Sequence, residues 1–214
     1  MKKQMRRNLI NEHISKSTGV FHLGAHVGQE AENYFNLNKS VIWVEAMPHV
    51  HEKLISNIEK FHNQQAFCAL ITDKDNQQYT FNVSNFKEGV SSSIFEFGDY
   101  SSGKNSLWPT LNLTMIDKLE LTSITIDSLV TNNNIDVSQY DFWILDLQGA
   151  ELVALKGAEK AIEKCRFILA EISQDEVYKN GVLYPDLKRF LEAKGFFPLY
   201  ESKKIHDDVL FVRQ

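Results

Sequence analysis

Short apolar runs alternate with helically spaced segments through the first third of this chain. Val20-Phe21-His22-Leu23 is a mostly apolar run that breaks at Gly24, the look of a strand covered on both faces. The chain then turns through Gly24-Ala25-His26-Val27-Gly28 and is expected to run as a helix from Gln29 to about Leu37, with Ala31, Tyr34 and Phe35 inward. Val41–Val44 reads as a second strand and ends on Glu45. Pro48 opens a helix in which Val50, Leu54, Ile58 and Phe61 recur at three- and four-residue steps. Phe67–Ile71 reads as a third strand, ending at Thr72-Asp73. Such a β-α-β-α-β order predicts a parallel sheet with helices on both faces.

The flanking regions add to this pattern. Residues 4–16 predict a preliminary helix, with Met5, Leu9, Ile10 and Ile14 near helical spacing. Gln78–Val83 alternates as a strand, whereas 84–112 is rich in Ser, Gly, Asn and aromatics without clear periodicity, as a functional loop or lid would be. Ser123–Ile126 reads as a further strand, with Asp127 as the cap of a short helix. Phe142–Leu145 is a buried strand stopping at Asp146, and Glu151–Lys164 is a helix with Leu152, Leu155, Ala158 and Ile162 on one face. Phe167–Ile172 follows as a strand with Glu171 near its end. Pro185 starts a helix that Gly195 stops, and Phe196–Tyr200 with Val209–Val212 form a closing strand pair.

The first turn carries candidate chemistry. Strand, glycine turn and helix start together form a nucleotide-type site, because glycine permits close backbone approach and the helix start offers free N–H groups. Glu45 lies some 20 positions after Gly24, where open α/β folds place the acid that holds ribose hydroxyls. A dinucleotide fingerprint asks for G-x-G-x-x-G, yet its middle glycine is His26 here and its third is Gln29. With the approach to a diphosphate narrowed, S-adenosyl-L-methionine, which has ribose and adenine but no phosphate, fits better than NAD.

Composition narrows the picture modestly. The 214 residues suit one domain, 43% hydrophobic and 24% charged, and the net charge of −5 offers no overall basic field for nucleic acid. Lys2, Lys3, Arg6 and Arg7 are not followed by the apolar core of a signal peptide, and no run is long enough to span a bilayer. A cytoplasmic protein with a solvated basic helix face is the expectation. Cys68 and Cys165 sit in apolar runs and read as small core residues, neither a disulfide nor a metal site.

Ligands of open α/β sheets bind beyond the carboxyl ends of the strands. There the chain places His22 and His26, Glu45, Asp73, Asp146 with Gln148, and Glu171. Unpaired buried acids are costly, so a carboxylate at four successive strand ends points to a polar pocket.

The stretches Gly24–Gly28, Val41–Pro48, Asp146-Leu147-Gln148-Gly149-Ala150-Glu151 and Leu155-Lys156-Gly157-Ala158 resemble the FkbM family of S-adenosylmethionine-dependent methyltransferases. Gly195–Phe197 and Asp208–Val212 look like that family's last hairpin, so the resemblance covers about 18–213. It implies an α/β, Rossmann-like class I methyltransferase fold. The sheet would be seven-stranded, mostly parallel, with a C-terminal antiparallel hairpin in one domain over 1–214. It further implies transfer to a hydroxyl of a sugar, glycan or natural product, and a family-like homodimer. By position, Gly24, Ala25 and Gly28 would pass under the methionine and ribose, Glu45 would take the ribose and Asp73 the adenine. His26, Ala46, Thr72, Asp146 and Gln148 complete the expected cofactor set. Two positions depart from the family pattern: His22 replaces an acid common at the end of the first strand, and Ile144 replaces a lysine often found two residues before the signature aspartate.

Methyl transfer from a sulfonium is an in-line displacement in which alignment supplies much of the rate, and a base helps a neutral hydroxyl to react. Asp146 is the first candidate base, with His22, His26 and His206 as alternatives; no dense Asp/Asn cluster argues for a metal ion. The acceptor is expected at the 84–112 segment, with Ser91, Ser92, Ser93, Tyr100 and Trp108 in reach, and with Glu171 and His206 beside it. Two rival readings stay open: an NAD(P)-linked oxidoreductase on the same sheet, and a non-catalytic binding module that kept the fold.

Overall fold

A computed structural model of the chain describes residues 3–214. Lys2, part of the basic start, lies outside the described residues. Five strands run parallel in the order β3 (Gln64–Cys68), β2 (Ser40–Glu45), β1 (Gly19–Leu23), β7 (Phe142–Leu145) and β8 (Phe167–Ser173). β10 (His206–Arg213) then pairs antiparallel with β8, and β9 (Phe196–Pro198) closes the edge antiparallel to β10. This is the mostly parallel seven-stranded sheet with a C-terminal antiparallel hairpin. The strand order reverses direction of growth at β1 and β7, which puts a crevice beyond their carboxyl ends.

Burial explains why the central strands were legible. Every residue of β1 and β7 is buried, and helices cover both faces. On one side Phe21, Ile42, Trp143 and Ile168 pack with α5 (Ile126–Asn132), α6 (Glu151–Lys156) and α7 (Tyr184–Ala193). On the other, Val20, Trp43 and Phe142 pack with α1 (Lys3–Lys16), α2 (Ala31–Asn36) and α3 (Pro48–Ile58). α3 starts at Pro48, whose fixed φ suits a first helical turn, and buries Val50, Leu54 and Ile58. No described helix is long and apolar enough to cross a membrane.

Several expectations are corrected. The strand at Phe67–Ile71 is two strands: the chain leaves the main sheet after Cys68, and β4 (Leu70–Ile71) pairs with β6 (Met115–Ile124) instead. β6 also pairs antiparallel with β5 (Gln78–Ser84), giving a second, three-stranded sheet. Strand structure therefore begins well before Ser123. Thr125, not Asp127, caps α5 by accepting the Ser128 N–H at 3.1 Å; Asp127 instead accepts the N–H groups of Lys160 and Ala161. The helix from Glu151 stops at Lys156, with Gly157 as its cap; a Cβ on Gly157 would meet the Thr72 carbonyl at 2.3 Å, a contact only glycine allows. Phe35 is 38% exposed, and Cys68, at the end of edge strand β3, is exposed rather than core. Arg6 is not a solvated charge either: its guanidinium forks onto Asp207, with Nη2 2.8 Å from Oδ2, and docks α1 on the start of β10.

The 84–112 region is less loose than its composition implies. It contains α4 (Asp99–Ser102), an isolated bridge from Ser93 to Asn82 and another from Phe97 to Tyr178. Phe97, Leu113, Val177 and Tyr178 form a small core of their own.

Candidate active site

The first glycine turn is held by Glu45. Its Oε2 accepts the His26 N–H at 2.8 Å and its Oε1 accepts the Met47 N–H at 2.9 Å. Burial pushes this carboxyl above the usual range, while those N–H donors pull it back. Gly24 has a positive φ of 83°, and a Cβ there would sit 1.8 Å from the Asp146 carbonyl. Gly28, also at positive φ, would place a Cβ 2.7 Å from Leu54 Cδ1. Its lack of a side chain therefore serves the packing of α3, and Gly28 does not line the crevice.

Two cavities meet in the crevice. The first is walled by Gly24, Ala25, His26, Glu45, Ala46 and Gln148, with an apolar slot of Leu70, Ile71, Phe81 and Met47. The loop after β5 closes it through Val90, Ser91, Ser92 and Ile94. The second lies under α1, between Arg7, Ile10 and Asn11 above and Ile144, Leu169, Glu171 and Asp208 below. His22, Gln29, Glu30 and Asp146 line both. They form the wall where the two spaces touch.

His22 is buried, stacked on Trp43 at 4.8 Å, and its Nδ1 lies 3.3 Å from the Tyr34 hydroxyl. Burial drives its pKa down to about 3, so the imidazole is neutral around neutral pH. Asp146 hangs from the end of β7 into the opening between the cavities, exposed to their solvent. The walls of the crevice desolvate it, and the carboxylates of Glu171, Asp208 and Glu151 repel its charge, so its pKa is raised; Gln148, whose amide donates to Oδ1, works the other way. Because water still reaches this side chain, its burden of desolvation depends on what fills the crevice. Asp208, at the rim of the second cavity, is raised to about 6 by desolvation and then by Glu171.

The signature after β7 folds around its own last acid. Glu151 is 1% exposed, and its Oε1 accepts the Leu147 N–H at 2.9 Å and the Gly149 N–H at 3.3 Å. Desolvation, with Glu171 next in effect, raises it to about 8. This turn holds Gln148 at a φ of +54°, a strained conformation for a side chain with a Cβ. The Ser93 hydroxyl donates to the Gln148 carbonyl at 2.7 Å.

The other expected residues are distributed unevenly. His26 lines the first cavity alone, and its Nδ1 is engaged by Gln29 at 3.0 Å. Thr72 is buried with its hydroxyl on the Lys74 carbonyl, and neither it nor Asp73 lines a cavity. Ser92 borders the first cavity and Glu171 the second. Ser93, Trp108 and His206 border neither. His206 is ion-paired with Glu171 at 2.9 Å, a partner that raises its pKa in spite of burial, and Trp108 meets it edge-on at 5.4 Å. Glu171 Oε2 is buried and has no partner among the described residues. Among those residues no group of three or more His, Cys, Asp or Glu is arranged to hold a metal ion. The second cavity and Glu30 were not foreseen; the only sequence signal for Glu30 is its place just after the glycine turn.

This geometry suits the nucleoside cofactor inferred from the sequence. Glu45 keeps lone pairs for hydroxyl donors on a carboxylate already oriented by two backbone bonds, and the slot of Leu70, Ile71 and Phe81 matches a flat apolar base.

Comparison with known proteins agrees. The model of the methyltransferase FkbM domain matches residues 22–198. Comparison with curated protein sequences returns no match. Among solved structures, magnesium protoporphyrin IX methyltransferase from Synechocystis, with bound S-adenosylhomocysteine, superposes with a TM-score of 0.50 at 9% identity. That alignment covers 99% of this chain and 80% of that one. A Burkholderia thailandensis 1,6-didemethyltoxoflavin-N1-methyltransferase gives 0.47 at 10% identity, over 96% and 75% of the two chains. A TehB-like S-adenosylmethionine-dependent methyltransferase from Corynebacterium glutamicum gives 0.45 at 9%, over 99% and 95%. With the family model spanning most of its length, the chain belongs to the FkbM family of methyltransferases, and its cofactor is S-adenosyl-L-methionine.

Proposed function

We propose that this methyltransferase acts on oxygen, methylating a hydroxyl of a sugar, a glycan or a natural product. The observation that supports this reading is the shared wall: a carboxylate, Asp146, stands where the cofactor cavity opens into a second cavity. A hydroxyl acceptor needs a proton acceptor within hydrogen-bond reach, and a carboxylate is a suitable one. The second cavity mixes apolar surface (Ile10, Ile144, Leu169) with hydrogen-bonding groups (Asn11, Asn33, Glu171), as a polyhydroxylated acceptor requires. On this reading the acceptor lies under α1, on the far side of Asp146 from the 84–112 segment, which borders the cofactor side.

The cofactor supplies an electrophilic methyl carried on a sulfonium. The chain's part is to hold, orient and move one proton. Glu45 and the apolar slot would hold the nucleoside end of the cofactor, in the cavity whose wall His22 and Asp146 share. His22, neutral because of burial, adds no positive charge beside a sulfonium. Asp146 keeps Oδ1 on the Gln148 amide and has Oδ2 to take the acceptor's proton. Its raised pKa makes it a stronger base than an ordinary aspartate once ionised.

The test is Asp146→Asn, assayed with radiolabelled cofactor against a panel of sugars, glycosides and phenols. Binding of S-adenosylhomocysteine should stay within about threefold, while transfer falls by about 100-fold or more, the usual scale of a lost general base. Full transfer by Asp146→Asn would rule the role out.

A further inference from the structure

Gln148 has a side-chain amide with two distinct ends, and each end has one partner. Its Nε2 donates to Asp146 Oδ1, and its Oε1 accepts from the Tyr178 hydroxyl. Tyr178 comes from the segment after β8, is 3% exposed, and also reaches the Ser91 carbonyl at 3.3 Å. Its ring lies 5.7 Å from Phe97, and its backbone bridges Phe97 in the 84–112 segment. Turned end for end, the amide would set its oxygen against the Asp146 carboxylate and its N–H₂ against a phenol whose proton then has only Ser91 to serve. The phenol proton meets Oε1 only in the observed orientation, so the Tyr178 hydroxyl weighs against that alternative.

We propose that Tyr178 is a positioning residue for methyl transfer: its hydroxyl fixes the Gln148 amide so that an N–H is always presented to Asp146 Oδ1, leaving Oδ2 toward the acceptor. The proposal rests on the reading of Asp146 as the base. It also gives the 84–112 segment a role, because Ser91, Ser93 and Phe97 all bear on the same two residues. Tyr178 stays a donor: desolvation and the nearby carboxylates hold its pKa well above that of a free phenol. Asp146 itself is faced by Glu171 from β8, Asp208 from β10, Glu151 from α6, His22 from β1, Glu30 from the first turn and Arg7 from α1. Every one of those groups remains in place when a single hydroxyl is removed from Tyr178, so the change it makes at Asp146 is separable from theirs.

The experiment needs no acceptor. In the full chain saturated with S-adenosylhomocysteine and carrying ¹³C-labelled aspartate carboxyls, the Asp146 signal, assigned by its loss in Asp146→Asn, is titrated by NMR. Tyr178→Phe keeps the ring on Phe97 and should displace the Asp146 midpoint upward, since the carboxylate loses a dependable donor. Gln148→Leu should displace it at least as far, and Tyr178→Phe on the Gln148→Leu background should add nothing. An unmoved midpoint in Tyr178→Phe, or an equal displacement with and without Gln148, would overturn the proposal. Calorimetry with S-adenosylhomocysteine confirms that each variant is folded; should Tyr178→Phe fail that check, an unmoved midpoint in Gln148→Leu overturns the proposal alone. If Asp146→Asn transfers methyl groups normally, the base assignment has failed, and the titration still decides whether Tyr178 governs the amide.

Discussion

Glu45 and His26 are joined across the mouth of the cofactor cavity by a 2.8 Å bond from a backbone N–H to a carboxylate oxygen. One acid thus shapes the turn and lines the first cavity. Glu45→Gln keeps an acceptor for His26 but turns an N–H₂ toward the Met47 N–H. It also removes the charge that strengthens any bond to a ribose hydroxyl. Calorimetric titration with S-adenosylhomocysteine should give a Kd raised by about 10- to 100-fold, the equivalent of a lost hydrogen bond to a charged group. An unchanged Kd would mean that the ligand does not use this wall.

The two glycines of the first turn should not be equally sensitive. An alanine at Gly24 drives its Cβ to 1.8 Å from the backbone carbonyl of Asp146, the residue that follows β7 and is tied to β1 by its N–H on the Leu23 carbonyl. At Gly28 the obstacle is the end of the Leu54 side chain, which can change rotamer. Both also bear the penalty of positive φ, about 1–2 kcal/mol. Gly28→Ala should therefore fold with Tm lowered by about 2–8 °C for a chain of this size, whereas Gly24→Ala should fail to bind S-adenosylhomocysteine or to accumulate as folded protein. Equal tolerance by thermal melting would show that the β1–β7 junction is more plastic than its contacts imply.

Much of this was legible in the sequence, for identifiable reasons. β1, β2 and β7 are buried on both faces, so they appear as apolar runs whose first polar residue marks the strand end; Glu45 and Asp146 are found in the same stroke. β6 escaped notice over Met115–Thr122 because it lies in a partly solvated sheet, with Ile116 66% exposed and charged residues interleaved. Asp73 lies outside both cavities, and the exchange of sheets after Cys68 that precedes it is a tertiary event without a local signal. The second cavity was invisible for a similar reason. It is assembled from α1, β1, the turn after it, α2, β7, β8 and β10, and no stretch of sequence contains more than a few of its residues. Tyr178 sits in an irregular segment where nothing in the spacing distinguishes it from a surface aromatic.

His22 makes a prediction about acid stability. Its pKa falls from an ordinary value near 6.5 to about 3 in the folded chain, because burial disfavours the charged ring. The unfolded chain therefore binds a proton that the folded one does not. The stabilisation is complete above about pH 6.5 and is lost as the pH falls from there toward 3. His22→Phe retains an aromatic ring to stack on Trp43 and has no proton to gain. Chemical denaturation between pH 6.5 and 4.5 should show a shallower loss of stability in this variant than in the parent, by up to about 1.4 kcal/mol per pH unit. Parallel slopes would place the acid sensitivity elsewhere.

Glu151 acts in the opposite direction, at the other end of the pH scale. Its folded pKa of about 8 lies above the ordinary glutamate value near 4.3, with desolvation the main cause and Glu171 the next. Here the folded chain is the one that holds the proton. The contribution is full below about pH 4.3 and is lost as the pH rises through 8, where a buried negative charge must be kept beside Glu171 with only the Leu147 and Gly149 N–H groups to offset it. Glu151→Gln has a neutral oxygen for the Leu147 N–H and nothing to ionise, so it should equal the parent at about pH 4 and exceed it in stability at about pH 8.5. The same variant separates structure from chemistry in the signature. If the last acid only shapes the turn that carries Gln148, Glu151→Gln retains methyl transfer at pH 7 within a few-fold. A collapse of transfer with stability intact would mean that the ionisable carboxyl of Glu151, and not the shape of the turn alone, acts on Asp146 during the reaction.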